Sequence, residues 1–192
     1  MLSLNTTVVA VIAPGEAAPL DGLRAGNVRV VRADPDAPPL DRALAAWREA
    51  SGTSAPYVVH DADPLAWVAE AWIRRFDGAG AAGELEVAVS ETLARWRARS
   101  LDLPDYYLLV DPEGLGVTRR HWYLGVLGAA AAARVVPARP AVGLLDQLGA
   151  LPPGPWWPDL DRLVADLDRV VPDQVGRLGP PGPDPAAVVR LD

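Results

Sequence analysis

The chain has 192 residues, half of them apolar and 22% charged, which is enough for one well-buried core and too little for two. All 18 basic residues are Arg, there is no Lys and no Cys, and the histidines are His60 and His121 alone. These absences exclude Schiff-base and pyridoxal-phosphate chemistry, a P-loop lysine, thiol nucleophiles, redox dithiols, iron–sulfur clusters and Cys-bound zinc. The net charge of −7 works against nucleic acid and anionic lipid as partners.

The start of the chain lacks the basic segment and apolar stretch of a secretory signal, and no disulfide framework exists, so the expected compartment is the cytoplasm. No uninterrupted apolar run reaches the roughly 18 residues that span a bilayer. Arg in place of every Lys, with abundant Ala, Val and Pro, points to a GC-rich bacterial genome.

Five short apolar, β-branched or aromatic runs read as strands, over 6–13, 27–33, 57–61, 106–111 and 133–138. Most are continuous rather than alternating, which marks strands buried on both faces. The fold class that follows is α/β: a three-layer, Rossmann-like domain with a mostly parallel sheet of about five strands covered by helices.

Between the strands, Leu40, Ala43, Leu44 and Trp47 make a helical stripe that stops at Ser51-Gly52. A second helix opens on Asp63-Pro64, an N-cap followed by Pro at N1, and carries Leu65, Val68, Ala69, Trp72, Ile73 and Phe76 on one face. Trp67 lies off that face. The segment 84–99 reads as either strand or helix, and one helix fits its Leu85, Val89, Thr92, Leu93 and Trp96 better. A further helix is expected after Thr118, whose hydroxyl would cap it, with Trp122, Tyr123, Val126 and Leu127 deeply buried. A short helix over 142–148, a Pro-rich turn with Trp156-Trp157 and a helix striped by Leu160, Leu163, Val164, Leu167 and Val171 complete a helix-rich C-terminal half. The single domain is expected over 1–171. The Pro- and Gly-rich stretch 172–192 is expected to form a mobile tail, although its last residues are apolar enough to dock.

In a parallel sheet the loops that follow the strands share the carboxyl edge, where open α/β folds place ligands. His60, Asp61, Asp63, Asp111 and Glu113 would meet there. In a catalytic reading His60, Asp61, Asp111 and Glu113 do the chemistry, and Asp61, Asp63, Asp111 and Glu113 hold Mg²⁺. Ordinary structure also accounts for much of this, since Asp63 reads as a helix cap and Asp111-Pro112-Glu113-Gly114 as a type I turn. Arg119, Arg120 and His121 open a helix against its dipole, which invites either a bound anion or an ion pair with Asp111 or Glu113. No GxGxxG motif follows the first strand, so a dinucleotide site is not indicated.

Trp47, Trp72, Trp96 and Trp122 fall on core stripes, leaving Trp67, Trp156 and Trp157 as candidate interface anchors. The leading expectation is therefore a non-catalytic cytoplasmic module that binds another protein or itself, with no cofactor. The alternative is a divalent-metal-dependent, phosphate-handling hydrolase or transferase. A third reading is a nucleotide or small-anion sensor.

Overall fold

The computed structural model describes residues 6–15, 19–138, 143–165, 167 and 170–172. Among them the chain runs β1 (Thr7–Ile12), β2 (Val28–Val31), α1 (Pro39–Ser51), β3 (Tyr57–His60), α2 (Ala66–Phe76), α3 (Glu84–Arg97), β4 (Tyr106–Leu109) and a 3₁₀ turn (Pro112–Gly114). There follow α4 (Val117–His121), a π-helical turn (Trp122–Leu127), α5 (Gly128–Ala130), a 3₁₀ turn (Ala132–Arg134), β5 (Val135–Pro137), α6 (Leu144–Leu148) and α7 (Leu160–Val164). The tail expected from 172 onward lies, beyond Pro172, outside the described residues. No described helix is long and apolar enough to cross a membrane.

All five strands form at the apolar runs, and they pair in parallel in the order β2-β3-β1-β4-β5. This is an α/β fold with a parallel sheet flanked by helices, consistent with a Rossmann-like three-layer arrangement. The connections β2 to β3, β3 to β4 and β4 to β5 all step the same way across the sheet. Right-handed crossovers therefore put their helices on one face.

Strand alternation confirms which face is which. Val8, Ala10, Ile12, Val58, Tyr107 and Leu109 point towards the α1, α2 and α4 side, where they meet Ala46 and Ala50 of α1 and Trp72 of α2. Val9, Val11, Val59 and Leu108 point the other way. There the cover is thin, made of Leu20 and Leu23 in the loop after β1 and of Leu144, Leu148 and Leu151 in and after α6. Among the described residues the third layer is one short helix and a loop rather than a full row of helices, because only the β1–β2 connection steps in the opposite direction.

The thick layer centres on an aromatic group. Trp72 is completely buried, its ring 5.6 Å from that of Trp122 and 4.8 Å from that of Phe76. Its indole Nε1 donates to the Leu167 carbonyl at 3.0 Å. Burying an aromatic of this size while pairing its polar edge gives this layer both its apolar driving force and a fixed orientation.

One local expectation holds, and two features differ from the periodic reading. The segment 84–97 is one helix, with Glu84 and Glu86 in its first turn and Arg95 and Arg97 in its last, each favoured by the helix dipole. The helix N-terminal to Trp122 begins at Val117 with Gly116 as its cap, and Thr118 instead donates its hydroxyl to Asp77 Oδ1 at 2.8 Å. The long helix through the alanines is interrupted by the π turn, which sends Trp122, Tyr123, Val126 and Leu127 inward and leaves Leu124 exposed.

Candidate functional site

The loops at the carboxyl edge come together around Asp63, but as a sealed polar knot. Asp63 Oδ1 accepts from the Leu65 amide at 2.8 Å and from the Tyr107 hydroxyl at 2.8 Å, and Oδ2 accepts from the Tyr123 hydroxyl at 2.8 Å. Tyr107 belongs to β4 and Tyr123 to the π turn, so one carboxylate ties the loop after β3 to a central strand and to the β4–β5 crossover. The local cause is an Asx turn: Asp63 precedes Pro64, and its side chain takes the amide two residues on, before α2 begins at Ala66. Asp63 is thus not the terminal cap of α2, whose N-cap residue is Leu65.

The electrostatics follow from burial. Desolvation pushes the Asp63 carboxyl above the usual carboxylate range, while its three hydrogen-bond donors and the charge of Arg119 oppose that rise. Burial and the neighbouring Asp63 charge drive the Tyr107 and Tyr123 hydroxyls well above their ordinary range, so both remain donors. At the end of β3, burial lowers His60 to about 4 even though the Asp61 charge and the Ala62 backbone pull the other way. His60 Nδ1 has no hydrogen-bond partner.

The other sequence candidates do not join this knot as a metal set. Asp61 Oδ1 accepts from the Ala33 amide at 3.2 Å, bridging the ends of β3 and β2. Asp111 adopts a left-handed φ of 47° and its carbonyl accepts from the Gly114 amide at 3.0 Å, giving the expected turn in a strained form. Glu113 pairs with Arg120 at the surface, which is the ion pair foreseen as the ordinary explanation of the basic run. Arg119 supplies charge towards Asp63, and the His121 ring lies parallel to that of Trp72 with centroids 6.1 Å apart. Among the described residues no group of three or more acidic or histidine side chains could hold a metal ion. Asp61, Asp63, Asp111 and Glu113 do not converge on a common point for Mg²⁺: Asp61 is engaged by a backbone amide, Asp63 by an amide and two tyrosines and Glu113 by an arginine, while Asp111 sits in its own turn. At the switch point between β1 and β4, Gly114 lies against Pro14, and a methyl group there would come within 3.0 Å of the proline ring.

The solvent-facing chemistry lies instead at the amino-terminal edge. Trp156 is 54% exposed, whereas its neighbour Trp157 is buried and donates its Nε1 to the Pro104 carbonyl at 2.7 Å. The Arg134 guanidinium sits 4.7 Å from the Trp156 ring centre and 4.8 Å from that of Tyr106. The same guanidinium donates to the Pro155 and Gly154 carbonyls at 2.8 Å each, fixing the loop that carries Trp156. Trp67 is half-buried against the α1 and α2 clusters and offers only part of its ring.

Periodicity also assigned Trp47 and Trp96 to the core, and both are half-buried on the walls of an open groove of about 1140 Å³. The groove runs between the carboxyl ends of α1 and α3 and is further lined by Arg48, Arg97, Arg99 and Asp102. The sequence carries a faint signal for it: each of these helices has, in its last turns, a tryptophan followed at once by arginine.

No known protein family, curated protein or solved structure matches the chain.

Removing one donor from Asp63 leaves a buried carboxylate under-satisfied, so Tyr107→Phe and Tyr123→Phe are each expected to cost about 1–3 kcal/mol in urea unfolding. A loss below about 0.5 kcal/mol in both would contradict the knot. The pH dependence has a definite sign. His60 is neutral in the fold down to about pH 4 but takes up a proton near 6.5 when unfolded, so its contribution is full above 6.5 and is lost as pH falls towards 4. Asp63, with its raised folded value, acts in the opposite direction. Comparing wild type with His60→Gln isolates the histidine: between pH 7 and 4 wild type should lose about 3 kcal/mol more than the variant. Parallel stability curves would refute the assignment.

Proposed function

We propose that this domain is a non-catalytic module that binds another protein, or a second copy of itself, through the amino-terminal edge of its sheet, with Trp156 as the anchor. The observation that carries this reading is the mounting of Trp156: an indole more than half exposed, backed by Arg134 and held on a loop whose carbonyls that same arginine ties down. An apolar ring fixed before binding loses little conformational entropy on contact, which is what distinguishes an interface anchor from an idle surface residue. The sealed carboxyl edge supports the non-catalytic half of the reading, since the carboxylates and tyrosines there already serve one another. The Cys-free, all-Arg composition favours a bacterial, cytoplasmic setting, and the net charge of −7 disfavours nucleic acid as the partner.

A photo-crosslinking residue placed at position 156 in cells of the source organism tests this, with the exposed position 87 on α3 as control. A discrete protein adduct from 156 and not from 87 is expected. Trp156→Ala should abolish binding of that protein while costing the free domain only about 0.5–1 kcal/mol, the worth of its contact with Arg134. No adduct at 156, or the same adducts from both positions, would overturn the reading.

A further inference from the structure

We propose that the groove between the carboxyl ends of α1 and α3 binds a small planar aromatic anion: a flat ring bearing a phosphate or carboxylate group. This goes beyond the protein-binding reading and does not rest on it. Two tryptophans, Trp47 and Trp96, and three arginines, Arg48, Arg97 and Arg99, line the groove beside a single acidic residue, Asp102. On a chain whose net charge is −7, this is a local reversal of sign. Arg97 is committed to Asp161 of α7, but the guanidinium groups of Arg48 and Arg99 have no hydrogen-bond or ion-pair partner among the described residues. Indole faces with unpaired guanidinium groups beside them complement a ring that carries negative charge. The volume, about 1140 Å³, suits a small ligand in an open site rather than a buried one.

The backbone singles out Arg99. The Arg99 amide donates to the Trp96 carbonyl at 2.8 Å and the Ser100 amide to the Arg95 carbonyl at 3.0 Å, the paired bonds of a Schellman helix end. In that motif the residue at position 99 must be left-handed, and its φ is 55°. Glycine fills such a position without strain, whereas an arginine there is held in an unfavourable conformation. A side chain kept at a place where its absence would stabilise the fold is one whose value lies outside folding. Behind the groove, Trp47 and Asp102 also line a cavity of about 10 Å³ shared with His60, the buried imidazole whose Nδ1 is unpartnered.

The test is an NMR titration of the tryptophan indole N–H signals of the full chain, assigned through Trp47→Phe and Trp96→Phe, with AMP, benzoate, adenosine and inorganic phosphate as separate probes. The Trp47 and Trp96 signals should shift saturably with AMP or benzoate while those of Trp72 and Trp122 stay fixed, and adenosine and phosphate alone should bind at least about 10-fold more weakly. A response to AMP only assigns a phosphate ligand, and to benzoate only a carboxylate. Arg99→Gly should raise Tm by about 2–4 °C yet weaken the responding anion about 10-fold. Absence of saturable shifts with both anions, shifts centred on other tryptophans, or unchanged affinity in Arg99→Gly would each overturn the proposal.

Discussion

The structure depends on one buried carboxylate. Asp63 stands where three separate parts of the chain must meet: the loop leaving β3, the central strand β4 through Tyr107, and the crossover to β5 through Tyr123. An ionised group in this position is costly unless donors surround it, and two phenols and an amide do so at hydrogen-bonding distance. The π turn that carries Tyr123 makes physical sense in this light. One extra residue per turn breaks the regular ladder of a helix but lets Trp122, Tyr123, Val126 and Leu127 all face inward, so the phenol can reach Asp63. Gly125 in the same turn keeps clear the space beside the His121 ring, where a methyl group would come within 2.7 Å.

That knot determines how the carboxyl edge of the sheet is filled. A parallel α/β sheet ordinarily offers its carboxyl edge, at the point where neighbouring connections diverge. Here the edge is occupied by its own side chains: Asp63 by tyrosines, Asp61 by the Ala33 amide, Glu113 by Arg120, and the β1–β4 switch point by Pro14 against Gly114. Among the described residues, the opposite edge carries the braced indole of Trp156 and a groove lined by Trp47, Trp96, Arg48 and Arg99.

The strands were legible because burial on both faces writes itself as short continuous apolar runs, and each of the five formed where such a run stood. Helices α1 and α3 were legible from their stripes. The order of the strands was not, because the passage of the β3–β4 connection over β1 is fixed by packing between residues far apart in sequence. Asp63 could be seen as a residue with a structural task, yet its tyrosine partners, 44 and 60 positions away, could not. The groove escaped for a different reason. Trp47 and Trp96 do lie on helical stripes, but each falls in the last turns of its helix, where the stripe runs past the sheet and the ring becomes a wall. The Trp156-Trp157 pair shows the limit of composition: two identical residues in succession, one in the core and one in solvent, told apart by a hydrogen bond from Trp157 to the Pro104 carbonyl, 53 positions away.

Hydroxyl-radical footprinting of the free protein, read residue by residue by mass spectrometry, tests most directly whether the carboxyl edge is sealed and the amino-terminal edge open. The account predicts fast oxidation of Trp156, intermediate rates at Trp47 and Trp96, and protection of Tyr107 and Tyr123 equal to that of the core residues Trp72 and Trp122. Oxidation of Tyr107 or Tyr123 at a rate approaching that of Trp156 would contradict it.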